Sequence, residues 1–324
     1  MKTCFIGGTG RCGTSILRTI LSRHSRVATL PIEHRLTVDP DGIFDFYRSY
    51  TTGWSPYYAD ARLTRLKNFL EELSSTNPVH KIFRYLFRAI RLAGFSITPK
   101  KYLDVELSHF IPNYSEHVNT LLNELVEFEY TGERLGTGSY SFNNKIQYAP
   151  NYSKEQLKKI FQNFIHSFIQ DILTHNHKDC FIEDNTWNIL FSADLLDLIP
   201  NAKIISVIRD PRDVVASLSK QKWMPSNKAQ SAKIYNDLIV EWIEIRRNLD
   251  KQSWIEVRLE DVVLEPESQI RKICDFIELP WEDNLLEIDL SKSNSGRWKK
   301  DFSVEEQRSV IPLLAEHIKS FGYE

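Results

Sequence analysis

Residues 5–17 read Phe5-Ile6-Gly7-Gly8-Thr9-Gly10-Arg11-Cys12-Gly13-Thr14-Ser15-Ile16-Leu17. An apolar strand around Cys4–Ile6 runs into a glycine-rich turn, and the turn opens a helix with an apolar stripe at Ile16, Leu17, Ile20 and Leu21. Such a turn aims backbone N–H groups outward at a helix N-terminus, where they and the helix dipole attract an anion, usually phosphate. Gly8, Gly13, Thr14 and Ser15 nearly fit the G-x-x-x-x-G-K-[ST] spacing of nucleoside-triphosphate loops. Thr14 stands where that loop has its lysine, and the cation of this loop is Arg11, upstream.

Outward from the loop, 2–36 reads as strand, loop, helix and a short strand at Val27–Leu30. Residues 37–178 change character. Asp39–Asp60 is weakly patterned and rich in aromatics, helical periods appear near 61–73, 80–93 and 115–128, and 131–152 reads as irregular. Ser153-Lys-Glu-Gln156 fits a capping box ahead of a helix with apolar positions from Leu157 to Ile172. From Cys180 the alternation of strands and helices returns: Cys180–Glu183, Ile189–Ile199, Lys203–Ile208, a helix opened by Pro211, 228–249, Trp254–Arg258, Pro266–Ile277 and a last helix capped by Ser303-Val-Glu-Glu306. The fold class is α/β, a P-loop-like parallel sheet flanked by helices with a large helical insertion. We read 1–324 as a single domain, with 37–178 as the insertion, a lid that binds the acceptor. Ligands of such sheets bind at the carboxyl ends of the strands.

With 324 residues and 42% hydrophobic content the chain can bury a large core. A net charge of −2 gives no general attraction to nucleic acid or anionic membrane. Apolar runs are too short to span a bilayer, and the four scattered cysteines have no metal spacing. A loop strand starting next to Met1 leaves no room for a leader, so the sequence-level expectation is a cytoplasmic protein.

A second segment carries chemistry, Arg209-Asp210-Pro211-Arg212-Asp213 with Ser217 eight residues after Arg209. Arg209 leaves a buried strand at its carboxyl end, and Ser217 lies about two turns along the next helix. A guanidinium fork and a hydroxyl there can share one phosphate. Asp213, one turn from Arg209, also suits a plain structural ion pair. Two anion sites on one rim suit a ligand with phosphates at both ends.

At these residues the chain resembles the sulfotransferases that use 3′-phosphoadenosine 5′-phosphosulfate (PAPS), in particular the branch of bacterial and protein-tyrosine sulfotransferases. The resemblance covers roughly 1–36 and 180–324. It implies that Gly10, Arg11, Cys12, Gly13, Thr14 and Ser15 bind the 5′-phosphosulfate, and that Arg209 and Ser217 bind the 3′-phosphate. It also implies cofactor contacts from Leu259, before Glu260-Asp261, and from Arg297 and Lys299 in Gly296–Lys300. PAPS would be the co-substrate and 3′-phosphoadenosine 5′-phosphate (PAP) the product, with no metal. In the tyrosine-sulfotransferase branch a glutamate after the second strand acts as base, and Glu33 matches it, followed by Arg35. His34 is the alternative base. Arg11 would join catalysis by stabilising charge on the bridging oxygen.

Two departures stand out. Where relatives read E-K-T-P this chain reads Glu183-Asp184-Asn185-Thr186, so a lysine is missing; Arg35 and Lys145 are candidates to replace it. Leu259 replaces a tyrosine. Arg35, Trp54 and Tyr57 are candidate acceptor contacts, and Phe83 and Phe87 are further aromatics of the insertion. The expected partner is a small-molecule or carbohydrate acceptor, not nucleic acid; self-association as a homodimer stays open. Competing readings are a nucleotide kinase or NTPase with a degenerate loop, a phosphatase built on Cys12-x5-Arg18, and a protein that holds an adenine nucleotide without turnover.

Overall fold

The structure is a computed structural model that describes residues 1–74, 102, 105–132, 145–290 and 294–323. The helical period at 80–93, with Phe83 and Phe87, lies outside the described residues. The chain divides into two compact units, Met1–Thr29 with His177–Glu324, and Leu30–Asn176.

The first unit is built on five parallel strands in the order β2-β5-β1-β6-β7. They are β1 (Lys2–Gly8), β2 (Val27–Ala28), β5 (Cys180–Asp184), β6 (Lys203–Ile208) and β7 (Trp254–Arg258). The central strands are buried on both faces, as near-continuous apolar runs require: Cys4, Phe5, Ile6, Phe181, Ile182, Ile204 and Ile205 are all at most 1% exposed. One face is covered by α1 (Thr14–Leu21), α7 (Pro211–Leu218), α8 (Lys228–Arg247), α10 (Pro266–Phe276) and α12 (Val304–Ser320), whose Leu17, Val215, Ile239, Ile273 and Leu314 join the strand residues in one cluster. On the other, a 3-10 turn at Thr186–Phe191 packs so tightly that a Cβ at Gly7 would stand 2.7 Å from the Ile189 nitrogen. It runs on into α6 (Ser192–Leu198), so the helix expected over Ile189–Ile199 is 3-10 over its first three residues.

Register fixes the functional rim. Gly8 pairs with Val207, Ile6 with Asp184, and Ile208 with Arg258. The strands therefore end together, and the loop after β1, Asp184, Arg209 and Leu259 all leave at one edge. Two short helices complete this unit near that edge, α9 (Leu259–Leu264) and α11 (Trp298–Asp301).

The second unit holds α2 (Ile43–Thr52), α3 (Pro56–Ser74), α4 (Tyr114–Leu125) and α5 (Lys154–Asn176). Ser153 caps α5 as its sequence predicts: the Gln156 N–H donates to Ser153 Oγ at 3.2 Å, and the Ser153 N–H donates to Gln156 Oε1 at 2.8 Å. Asp39–Asp60, weakly patterned in sequence, contains α2, whose Phe46 stacks on Tyr50 at 5.0 Å and meets Phe161 of α5 edge-on at 5.7 Å. Aromatic-rich segments have modest helix propensity, and burial supplies what propensity does not. One expectation fails: residues 131–152 are not all irregular, since Phe128–Thr131 (β3) pairs antiparallel with Lys145–Tyr148 (β4). Among the described residues no helix is long and apolar enough to cross a membrane.

Candidate nucleotide site

The loop after β1 is shaped by its own sulfur. Cys12 is completely buried, and a Cβ at Gly8 would lie 2.2 Å from its Sγ. Gly8 is therefore glycine because the thiol occupies that volume. Burial pushes the Cys12 thiol up from its usual range, against the smaller opposing effect of the Thr9, Gly10, Cys12 and Thr14 N–H groups around it. A buried protonated thiol is no nucleophile, and Arg18 lies on α1, ion-paired to Asp184 at 2.7 Å. The Cys12-x5-Arg18 phosphatase reading falls on both counts.

Three residues of the loop are left-handed, Gly10 (φ 81°), Arg11 (φ 57°) and Gly13 (φ 107°). Gly13 is the N-cap of α1, and no side chain caps the helix; simple capping is thus not what Thr14 and Ser15 do. Ser15 instead stands beside Asp184, whose carboxyl burial raises while Arg18 and, after it, Ser15 lower it. Beneath the loop, Leu259 is 2% exposed, and a Cβ at Gly13 would come within 2.7 Å of it. Leu259 thus reaches the loop as packing under a glycine rather than as an open apolar face.

The Arg209 segment is an interlocked set of charges. Asp210 caps α7 by accepting from the Arg212 N–H at 2.9 Å, and it also holds the Arg212 guanidinium at 2.8–3.2 Å. Arg212 in turn lies over the Trp298 ring, 4.4 Å from its centroid. Asp213 is fully buried and accepts from the Gly296 N–H at 2.7 Å and the Trp298 N–H at 2.9 Å. Arg209 is 6% exposed; it pairs with Asp213 at 3.4 Å and donates to the Asn294 carbonyl at 2.7 Å and the Arg11 carbonyl at 3.2 Å. The structural pairing with Asp213 is therefore real, and Arg209 is at the same time bonded to the glycine loop. Arg11 closes the link: its Nε donates to Ser217 Oγ at 3.1 Å. The two anion segments are one connected cradle. With Asp210 committed to the cap and Arg212, the carboxylate that a kinase reading would set beside the loop is already engaged.

Other sequence candidates fall as follows. Arg297 is ion-paired to Asp301 at 2.8 Å and Lys299 is exposed, its Nζ 5.8 Å from the centroid of the Trp298 ring. In the second unit Glu33 pairs with Arg35 at 2.8 Å, and Arg35 reaches Asp39 at 3.3 Å. His34 is corrected as a base: it is 1% exposed, its Nδ1 accepts from the Leu36 N–H at 3.1 Å, and burial, aided by the Arg35 charge, lowers its pKa to about 3. Trp54 spends its indole N–H on the Ala149 carbonyl at 3.1 Å, and Tyr57 is 42% exposed. Of the two candidates to replace the missing lysine, Arg35 is bound by Glu33 and Asp39, and Lys145 faces Glu129 at 3.7 Å. The cation that stands at Asp184 is Arg18, which sequence reasoning missed in that role. Tyr323 was missed too; its hydroxyl donates to Glu260 at 2.8 Å, bringing a tyrosine to the strand end where Leu259 departs from the pattern.

The model of the sulfotransferase family matches residues 103–283, more than half of the chain, including the Arg209–Ser217 segment. The chain is 28% identical over 153 residues to protein-tyrosine sulfotransferase A of Caenorhabditis elegans, covering 43% of this chain and 40% of that one. It is 33% identical over 97 residues to a protein-tyrosine sulfotransferase of Drosophila melanogaster, covering 28% and 19%. An omega-hydroxy-beta-dihydromenaquinone-9 sulfotransferase of Mycobacterium bovis matches at 25% over 182 residues, 51% and 47%. The chain thus matches less than half the length of each of these relatives. In fold it resembles the sulfotransferase domain of the Synechococcus PCC 7002 olefin synthase, with a TM-score of 0.51 at 16% identity, covering 99% of this chain and 94% of that one. The family match, the parallel sheet and the joined anion segments agree: the chain belongs to the sulfotransferase family.

Proposed function

We propose that this chain binds PAPS and moves its sulfuryl group to a hydroxyl or amine of an acceptor. The observation that carries the reading is the joined cradle, in which Arg11 of the glycine loop donates to Ser217 at 3.1 Å and Arg209 donates to the Arg11 carbonyl at 3.2 Å. Segments some two hundred residues apart in sequence are held together by charged donors, the arrangement a nucleotide with two separate anionic groups requires. The co-substrate supplies an activated sulfuryl group with a phosphate leaving group. The chain supplies position and charge. In this reading the backbone of Gly10–Ser15 holds one anionic end, and Arg209 and Ser217 the other. Arg297 and Lys299 approach from the C-terminal segment, and Leu259 supports the loop. Glu33 takes the acceptor's proton, its carboxylate oriented by Arg35. Arg35, Trp54 and Tyr57 meet the acceptor.

For the acceptor we favour a small molecule or a carbohydrate. A tyrosine hydroxyl is the second reading, favoured by the alignments to two protein-tyrosine sulfotransferases. Calorimetry tests the reaction class: PAP should bind without magnesium. Binding of magnesium–ATP and not of PAP would replace this reading with a kinase or NTPase. A screen with labelled PAPS against metabolites, sugars and a tyrosine peptide would identify the acceptor.

A further inference from the structure

The close of α12 aims a tyrosine at the functional rim. The Tyr323 N–H donates to the Ile318 carbonyl at 2.8 Å and the Gly322 N–H to the Lys319 carbonyl at 3.1 Å, with Gly322 left-handed at φ 70°. This paired closure, through a residue without a Cβ, ends the helix and turns the chain back on it. Tyr323 is thereby set against the end of β7, where the Arg258 guanidinium lies over its ring, 4.3 Å from the centroid.

The contact does not stop there. The Tyr323 hydroxyl donates to Glu260 Oε2 at 2.8 Å, and Glu260 Oε1 accepts from the Asp210 N–H at 3.0 Å. One carboxylate therefore bridges the segment after α12 and the turn that opens α7. Burial first, and then the Glu260 charge, raises the Tyr323 hydroxyl above its usual range, so it stays protonated and donating. Asp210 carries the link onward, since its carboxylate caps α7 and holds the Arg212 guanidinium. Leu259, the neighbour of Glu260, lies under Gly13 of the loop after β1. The strand end that Tyr323 grips thus supports both nucleotide segments, although Tyr323 is not among the residues assigned to the nucleotide.

We infer that Tyr323 is a positioning residue: through Glu260 it fixes the backbone of Asp210, and with it the start of α7, so that nucleotide affinity depends on the docking of the segment after α12. This inference rests on the nucleotide reading above. It has a reciprocal consequence, because a docked tyrosine that favours the nucleotide must itself be held more firmly once the nucleotide is bound.

Calorimetry with PAP and amide hydrogen exchange test it together. Tyr323→Phe keeps the ring beside Arg258 and removes one hydroxyl. PAP affinity should fall by about threefold or more, the low end of what a lost hydrogen bond costs. Exchange should quicken at the Asp210 amide and stay unchanged in β6 and α12. Glu260→Gln leaves one acceptor oxygen for two donors and should reproduce the loss; the double variant should lose no more than the weaker-binding single one, because both groups act in one chain of bonds. In the unaltered protein, saturating PAP should slow exchange of the Tyr323 amide, to which a tyrosine that merely buttresses α12 would be indifferent. PAP affinity held within about threefold in Tyr323→Phe, quickened exchange throughout β6, or a Tyr323 amide that ignores PAP would each overturn the inference while leaving the nucleotide reading standing. Failure of the unaltered protein to bind PAP would instead remove the nucleotide reading, and the coupling with it.

Discussion

Gly8 and Cys12 show how one side chain can dictate another four positions away. A methyl group at Gly8 would meet Cys12 Sγ at 2.2 Å and the Val207 carbonyl at 2.8 Å. Gly8→Ala should therefore lower unfolding stability by about 2 kcal/mol or more, as overpacked cores do. The loss should be smaller in a Cys12→Ala background, a coupling that a denaturant double-mutant cycle reads directly. All four thiols are buried, so a thiol reagent should find none in the native protein and all of them after denaturation; rapid native labelling of Cys12 would restore it as a nucleophile candidate. Glu33→Gln should lower turnover by about 10²–10⁴-fold, the usual weight of a general base, with PAP affinity unchanged. Full activity would remove Glu33 from that role. His34 reads from sequence as the alternative base because imidazole titrates near neutrality. Its sequence gives no hint that Phe168 would stand edge-on to the ring at 6.1 Å.

Elements carry the next level. α7 begins with Pro211 at a first-turn position, which is legible from sequence, and is capped by Asp210, which the structure adds. The carboxylate of Asp213 extends its influence to a segment more than eighty residues later, through the Gly296 and Trp298 N–H groups. Asp213→Asn keeps an acceptor but loses the charge and one acceptor oxygen. Hydrogen exchange at Gly296 and Trp298 should then accelerate selectively, while the β6 amides stay protected; uniform acceleration would mean the substitution loosens the whole unit. The parallel strands and the α5 cap were readable because they depend on near neighbours and a continuous apolar run. Arg11–Ser217 and Arg18–Asp184 were not, since a contact between residues so far apart is written in topology rather than in spacing. The β3–β4 pair escaped for the same reason in miniature: four-residue strands, one of them exposed along its whole length, leave little alternation to read.

For the molecule as a whole, buried histidines make stability depend on pH. His34 has a folded pKa of about 3 against an ordinary 6.5, from burial first and the Arg35 charge second. His317, packed on Phe321, is lowered in the same direction by burial. The unfolded chain takes up protons below pH 6.5 that the folded chain refuses, so stability is lost as pH falls from about 6.5 towards 3. His34 alone should cost the second unit about 2 kcal/mol between pH 7 and pH 5. Denaturant unfolding at those two pH values should show that slope in the unaltered protein and a flatter one in His34→Gln; equal slopes would mean the ring is not buried neutral.

The strand order also bears on how the protein is made. β1 is the centre of its sheet, yet its partners β5 and β6 begin only at Cys180 and Lys203. During synthesis at about 5–20 residues per second, the first strand leaves the ribosome with both hydrogen-bonding edges bare and stays so while the whole of Leu30–Asn176 is translated. That interposed unit is complete before β1 acquires its first neighbour. The apolar Cys4–Ile6 run is thus the segment a chaperone would need to shield longest, and a ribosome stalled just before Cys180 should present it to one.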